Sequence, residues 1–424
     1  MTRLDQMQHK IFYGWWIVVA LFFVAAYITG IVFFGFTAIL DPIAYEFGWS
    51  YAQISFAASL RGIESGLLSP LVGWLIDRMG PRKLLVSGVL SAGLGLLFLS
   101  RVNTLAAFYG AFFLISIGLS VCTNVIPMTV VGYWFRRRVS IATGIVVSGT
   151  ACGGLLVPLV TRIIDTYGWR PAMLFIGIGA IVIFVPVALL VRHKPEHYGY
   201  LPDGDTPMEQ PPEEDALLQV PDVDIDVKKV VKGSIFWHLG IASACHIFVV
   251  NAVITHVMTY LRTVGIERSL SSMVTSIIPI ISIFGRLSFG WLGDRFDKRW
   301  VMATGYILLL ASMLLFNAVA STGVWLIMPF MIFCGLGYGG PIPVIPAILR
   351  DYFGRARLGT ILGFVLGITM LGSIMGPPMA GWIFDTFDSY RGAWFVCAGI
   401  VAIGFISLIT TPRKTDTIKA AYSV

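Results

Sequence analysis

Charge is scarce in this chain: 12% of its 424 residues are Asp, Glu, Lys or Arg, against 57% that are hydrophobic. So little polar material cannot clothe a soluble globule of this length, and the composition points to a bilayer instead. Also lacking are the arrangements that chemistry on a bond requires. No Ser, His and Asp constellation, metal-ligand cluster or phosphate loop stands out, which argues against an enzyme and leaves no expectation of a cofactor or metal. The five cysteines, Cys122, Cys152, Cys245, Cys334 and Cys397, sit in apolar runs with no Cys-x-x-Cys spacing, and read as buried thiols. The formal charge of +7 does not signal nucleic acid, because Lys and Arg punctuate apolar runs and form no basic groove.

What the chain has in quantity is apolar runs long enough to cross a membrane, for which about 20 residues suffice. Six fall near 11–40, 51–76, 84–100, 105–134, 139–164 and 171–191, and six near 234–261, 270–293, 300–319, 324–349, 358–384 and 392–411. Numbered in order as spans 1 to 12, they define an all-α polytopic membrane protein. Span 1 is longer than a signal-peptide core and has no small-residue cleavage pattern, so it is expected to stay as a membrane helix. Between the two sets, residues 192–233 turn to Pro202, Asp203, Asp205, Pro207, Pro211, Pro212, Glu213, Glu214 and Asp215. That composition reads as a disordered linker dividing an N-terminal half, 1–191, from a C-terminal half, 234–424. Lys228, Lys229 and Lys232 just before span 7 suit a position against anionic headgroups.

An even number of spans puts both termini on one side, and the basic residues decide which. The termini, the linker and loops 2–3, 4–5, 8–9 and 10–11 hold 22 of the 30 Lys and Arg. The opposite loops hold only Arg101, Arg162, Arg170, Arg262, Arg268 and Arg391. Termini and linker are therefore expected in the cytoplasm, with the chain in the plasma or inner membrane.

One stretch occurs twice. Gly73-Trp74-Leu75-Ile76-Asp77-Arg78-Met79-Gly80-Pro81-Arg82-Lys83 is echoed 217 positions later by Gly290-Trp291-Leu292-Gly293-Asp294-Arg295-Phe296-Asp297-Lys298-Arg299. A second pair of positions, Gly144 and Pro158, returns as Gly363 and Pro377 at an offset of 219. Offsets of about half the chain mean that one six-helix unit was doubled. The first copy resembles the signature loop of the major facilitator superfamily, matching at Gly73, Leu75, Asp77, Arg78, Gly80 and Arg82. The second copy lacks the equivalent of Gly80. The resemblance implies two pseudo-symmetric halves with a substrate site near the midplane, lined by spans 1, 4, 7 and 10. It also implies a conformational role for Gly73, Asp77, Arg78, Arg82, Gly290, Asp294 and Arg295.

Charge at bilayer depth faces a cavity or a partner. Three residues qualify: Arg61 and Glu64 on span 2, and Arg286 on span 8. Arg286 lies eight residues before Asp294, about 12 Å from the loop and too deep to reach headgroups. Its permanently charged fork of donors matches a carboxylate on a substrate. The alternative is a structural arginine bonded to backbone carbonyls or a neighbouring helix. Arg61 and Glu64 stand about 60° apart on their helix, so they either neutralise each other or let Glu64 carry a proton whose affinity the arginines modulate.

Span 7 carries His246, Asn251 and His256, candidates for anion contact and proton relay, or else packing residues. They do not share a face: His246 and Asn251 are about 140° apart at 100° per residue. Span 4 offers Asn124 just before Pro127, where a kink toward the cavity is expected. Span 10 offers Tyr338 among Gly335, Gly337, Gly339 and Gly340, a run that fits ligand contact and close helix packing equally.

Trp134-Phe135-Arg136-Arg137-Arg138, with Ile141-Ala142, Gly144, Ser148-Gly149 and Gly153, resembles the span 5 signature of monocarboxylate porters. Tyr13-Gly14-Trp15 is similar to that family's opening motif. The resemblance implies that Arg286 partners the substrate carboxylate. The chain departs from animal members in having Ser282 where they have an acidic residue, and Gly35 near their span 1 lysine, so proton coupling would use another group, such as Glu64 or a span 7 histidine, or not occur. It also lacks the span 11 lysine of oxalate and formate exchangers, which favours a monoanion over a dianion unless Arg61 supplies the second charge. The expected partners are thus a small carboxylate, a proton and the bilayer, moved by symport with alternating access. The alternatives are an organic-anion exchanger, an exporter of amphipathic compounds or a non-transporting receptor. Thr150, standing where exporters carry a span 5 proline, weighs against export.

Overall fold

The computed structural model describes residues 12–205 and 226–412; a few side chains within helices, including those of Arg61, Glu64 and Arg268, lie outside the described residues. Twelve spans form, in two six-helix halves. In the N-terminal half they are Tyr13–Ile28 continued by Phe36–Phe47, then Tyr51–Met79, Pro81–Leu99, Leu105–Ser120 continued by Ile126–Trp134, Val139–Cys152 continued by Val157–Tyr167, and Trp169–Leu189. In the C-terminal half they are Ser234–Thr263, Arg268–Arg295, Lys298–Thr322, Ile327–Gly339 continued by Val344–Phe353, Leu358–Phe387 and Arg391–Ile409. Among the described residues, eleven of these are apolar and long enough to cross a bilayer by composition alone. Span 2, 29 residues long, completes the first half. It starts on a capping box: Ser50 Oγ accepts from Gln53 N, and Gln53 Oε1 accepts from Ser50 N. Gly80, at φ +79°, ends it and begins span 3, with Pro81 in the first helical turn.

Several spans run a few residues beyond the lengths expected from hydropathy. Among the described residues four are also broken: span 10 opens at 340–343, between Gly339 and Val344, and the other three change their winding. Span 1 carries a π-helical stretch at Thr29–Phe34, span 4 one at Val121–Val125, and span 5 a 3-10 turn at Gly153–Leu156. Such irregular turns survive at membrane depth only where protein or a cavity receives the freed backbone groups. The breaks in spans 1 and 5 lie against each other, Gly30 against Gly153 with no room for a side chain on either.

The halves meet along two seams, span 2 on span 11 and span 5 on span 8. Both are glycine contacts. A Cβ on Gly73 would collide with the Gly359 carbonyl, and one on Gly290 would come within 2.8 Å of the Ser140 carbonyl. One turn further in, Gly363 abuts the Ser69 carbonyl and Gly144 abuts the Arg286 carbonyl. These seams lie at the end of the bundle that carries the basic loops. At the other end, the outer piece of span 5, Val157–Tyr167, packs within its own half on span 6 and on the outer piece of span 1.

The reading of 192–233 as disordered needs correction at both ends, while 206–225 lies outside the described residues. Residues 192–205 are folded against the loop between spans 4 and 5. Trp134 Nε1 donates to the Arg192 and His193 carbonyls, and Asp203 accepts from the Arg136 and Arg137 amides at 3.0 and 2.7 Å. Asp205 pairs with both of those arginines, and Glu196 reaches Arg355 of the other half at 2.5 Å. Residues Val227–Lys232 form a short helix. The segment cannot build a core of its own, but fixed partners on the bundle order it.

Candidate functional site

Span 8 is held tightly on both flanks: Gly144 of span 5 lies against the Arg286 carbonyl, and Gly339 of span 10 lies against the Ser282 carbonyl. This fixes where the Arg286 side chain starts. It is 4% exposed and crosses from the C-terminal half to the N-terminal one. Nη1 donates to the Val147 carbonyl at 2.6 Å and to Thr150 Oγ1 at 3.1 Å. Nη2 approaches the Tyr338 hydroxyl at 3.5 Å, with the guanidinium carbon 5.5 Å from the centre of that ring. Among the described residues, Nε is buried with no hydrogen-bond partner. Among the described residues Arg286 forms no ion pair. The structural alternative for this arginine is thus realised on one edge of the guanidinium only. The other edge, Nε with Nη2, is poorly satisfied, and a desolvated cation in that condition attracts an anionic oxygen.

Tyr338 is therefore brought to Arg286. The other proposed substrate contacts are not bonded to it. Asn124 sits half-buried on the π-helical stretch of span 4, so the break expected at Pro127 takes the form of a wide turn just before the proline. Asn251 donates to Ser373 Oγ at 2.5 Å, tying span 7 to span 11. His246 departs from the expectation of a path-lining residue: it is 2% exposed, bonds the Gly337 carbonyl at 2.9 Å and lies 5.7 Å from the Tyr306 ring. It braces span 10 from behind, one residue from Tyr338.

The proton-coupling set is dispersed. His256 is ten residues along span 7 from His246, about 15 Å at 1.5 Å per residue. Its Nδ1 contacts the Tyr390 hydroxyl and its Nε2 the Pro377 carbonyl, each at 3.0 Å, inside the C-terminal half. The carbonyl requires a proton on Nε2, so the neutral ring accepts from Tyr390 at Nδ1. Arg61 and Glu64 lie outside the described residues as side chains.

The duplicated loop residues close the basic end. Asp77 of span 2 accepts from the Gly359 and Thr360 amides at 3.2 and 2.8 Å, from Thr360 Oγ1 at 2.6 Å and from the Tyr133 hydroxyl at 2.6 Å. Asp294 of span 8 accepts from the Ser140 and Ile141 amides at 2.7 and 2.9 Å. A carboxylate at a helix N-terminus satisfies amides that have no partner within the helix and meets the positive end of its dipole. Arg82 bonds the Leu189 carbonyl at the end of span 6. Arg78 and Arg295 stay outside these networks, lying over Trp74 and Trp291 at 4.3 and 4.0 Å from the ring centres. Tyr133, Ser140, Thr360 and Arg350, which bonds the Phe135 carbonyl across the seam, escaped the sequence reading. Only the aromatic and basic run at 134–138 hinted at them.

A family profile described as Major Facilitator Superfamily matches residues 18–289 and 258–422. The chain belongs to the major facilitator superfamily. Among curated relatives of this facilitator, monocarboxylate transporter 12-B of Danio rerio is 27% identical over 416 residues, covering 90% of this chain and 84% of the relative. Monocarboxylate transporter 13 of Bos taurus is 25% identical, covering 95% and 90%. Among solved structures, the proton:xylose symporter XylE superposes with a TM-score of 0.72 at 14% identity, covering 97% of this chain and 99% of that one. The human organic anion transporter MFSD10 superposes at 0.70 with 13% identity, covering 93% and 99%. At those identities the structures establish the fold. Together with the transporter relatives, the superfamily membership makes this facilitator a multi-pass membrane transporter, not an enzyme.

Proposed function

We propose that this facilitator moves a small monocarboxylate together with a proton, the two halves rocking about a site centred on Arg286. One observation carries the reading: a buried, permanently charged guanidinium between the halves which, among the described residues, has no partner at Nε and no carboxylate to pair with. A substrate carboxylate completes it. The similarity to monocarboxylate transporters supports the same ligand class, and one cation on the described part of the site favours a single negative charge. Tyr338, on Nη2, is the proposed second contact. Asn124 and Asn251 are proposed to border the path, and His246 to act behind it.

The proton is assigned to Glu64, with Arg61 as its modulator and His256 as the reserve candidate. The distribution of Lys and Arg supports a cytoplasmic position for the basic loops, the linker and the termini. In that orientation the seams at Asp77 and Asp294 close the cytoplasmic side. Counterflow in proteoliposomes tests the reading: labelled pyruvate should accumulate against unlabelled pyruvate in native vesicles, and not in vesicles carrying Arg286→Lys. Binding without flux would make the chain a receptor.

A further inference from the structure

The contacts of Arg286 are divided unevenly over its three nitrogens. Nη1 is engaged by span 5 of the opposite half, at the Val147 carbonyl and at Thr150 Oγ1. The Thr150 hydroxyl spends its own proton on the same carbonyl at 2.7 Å, so its lone pairs are what face Nη1. Among the described residues Nε has no partner, and Nη2 has one long contact. In a guanidinium, Nε–H and the nearer N–H of Nη2 point the same way and form the side-on fork that a carboxylate takes with two parallel bonds. The bonded nitrogen is the one that fork does not use. Across the internal repeat, Ser69 stands where Arg286 does, since Gly363 meets the Ser69 carbonyl as Gly144 meets that of Arg286. Thr369, the repeat mate of Thr150, bonds back to its own helix at Val365. At this pair of equivalent positions, then, Thr150 reaches across its seam and Thr369 bonds within its own helix.

We propose that Thr150 is a positioning residue: with the Val147 carbonyl it holds Arg286 by Nη1, so that the Nε/Nη2 edge is presented side-on to a carboxylate. The inference rests on the carboxylate reading above and adds a consequence to it. Because Thr150 belongs to one half and Arg286 to the other, the fork is held in place only while spans 5 and 8 are together. Parting them removes the support, and the ligand is held less tightly in the orientation that releases it. Affinity then differs between the two orientations without any additional charge.

The test uses the full chain in proteoliposomes with formate, pyruvate and L-lactate as probes and pyruvamide as the neutral control. Thr150→Val removes the acceptor at nearly constant volume, and Thr150→Ser keeps it. The expected result is a 5- to 30-fold rise in KM and Kd for the best-bound acid in Thr150→Val, with kcat within twofold of native, and recovery to within twofold in Thr150→Ser. If Thr150→Val does not fold, Thr150→Ala carries the same expectation. An unchanged KM, a loss confined to kcat, or a Thr150→Ser that behaves like Thr150→Val overturns the assignment. If native protein keeps its preference for pyruvate over pyruvamide while Thr150→Val is silent, only the role of Thr150 falls. If pyruvamide binds as well as pyruvate, or none of the three acids binds, the carboxylate reading falls with it.

Discussion

Asp77 and Asp294 reach across the same molecular boundary in opposite directions, each capping the first amides of a helix in the other half. The two are not equal, since Asp77 also accepts from the Thr360 and Tyr133 hydroxyls. Replacing Asp77 by Asn removes the charge and one acceptor oxygen, and should weaken the closed basic end by about 1–3 kcal/mol. Amide hydrogen exchange at Gly359 and Thr360 should speed up accordingly. Asp294→Asn should do the same at Ser140 and Ile141 to a smaller extent, and Tyr133→Phe should lie between. Equal protection in all variants would detach these carboxylates from closure.

Arg286→Lys keeps the charge and loses the fork. Transport of the best-bound acid should fall at least tenfold in kcat/KM, about 1.4 kcal/mol in transition-state terms, while the thermal midpoint of the ligand-free protein stays close to native. A variant that transports normally would return this arginine to a packing role.

Glu64→Gln should abolish uptake driven by a pH gradient and leave acid-for-acid exchange intact, because exchange needs no net proton movement. Loss of both in a well-folded variant would assign Glu64 to pairing with Arg61.

His193 supplies a pH dependence outside the spans. Burial, and then the charge of Lys194, lower its pKa from 6.5 to about 4, where it packs against Gly80 and the Tyr133 ring. The folded state holds this proton more weakly than the unfolded chain does. Its stability is therefore full above about 6.5 and is lost as pH falls toward about 4. The fall in melting temperature between pH 7 and pH 5 should be smaller in His193→Phe, which keeps a ring and cannot titrate, than in native protein. Identical falls would place the sensitivity elsewhere.

The architecture was legible because a bilayer demands long apolar helices and because duplication left its offset in the sequence. That the copies at 73–83 and 290–299 would meet the duplicated starts of spans 11 and 5 was not, since an offset records ancestry and not contact. Arg286 stood out as an isolated charge. Its partners did not: every residue has a backbone carbonyl, so nothing marks that of Val147, and Thr150 is 136 positions away. His246 failed as a lining residue because a face on a helical wheel does not say which neighbour covers it. The linker misled for a related reason, as Asp203 and Asp205 read as solvent-seeking until Arg136 and Arg137 are in place beside them.

The glycine seams have a consequence for the energetics of opening. Where two helices touch through bare main chain, parting them wets very little hydrocarbon, in contrast to a leucine-lined joint, where each square ångström uncovered costs about 25 cal/mol. Water can replace the partner of a released amide or carboxylate far more readily than it can replace a lost apolar neighbour. A joint built in this way suits the alternating opening and closing proposed for this carrier better than a permanently assembled apolar core would.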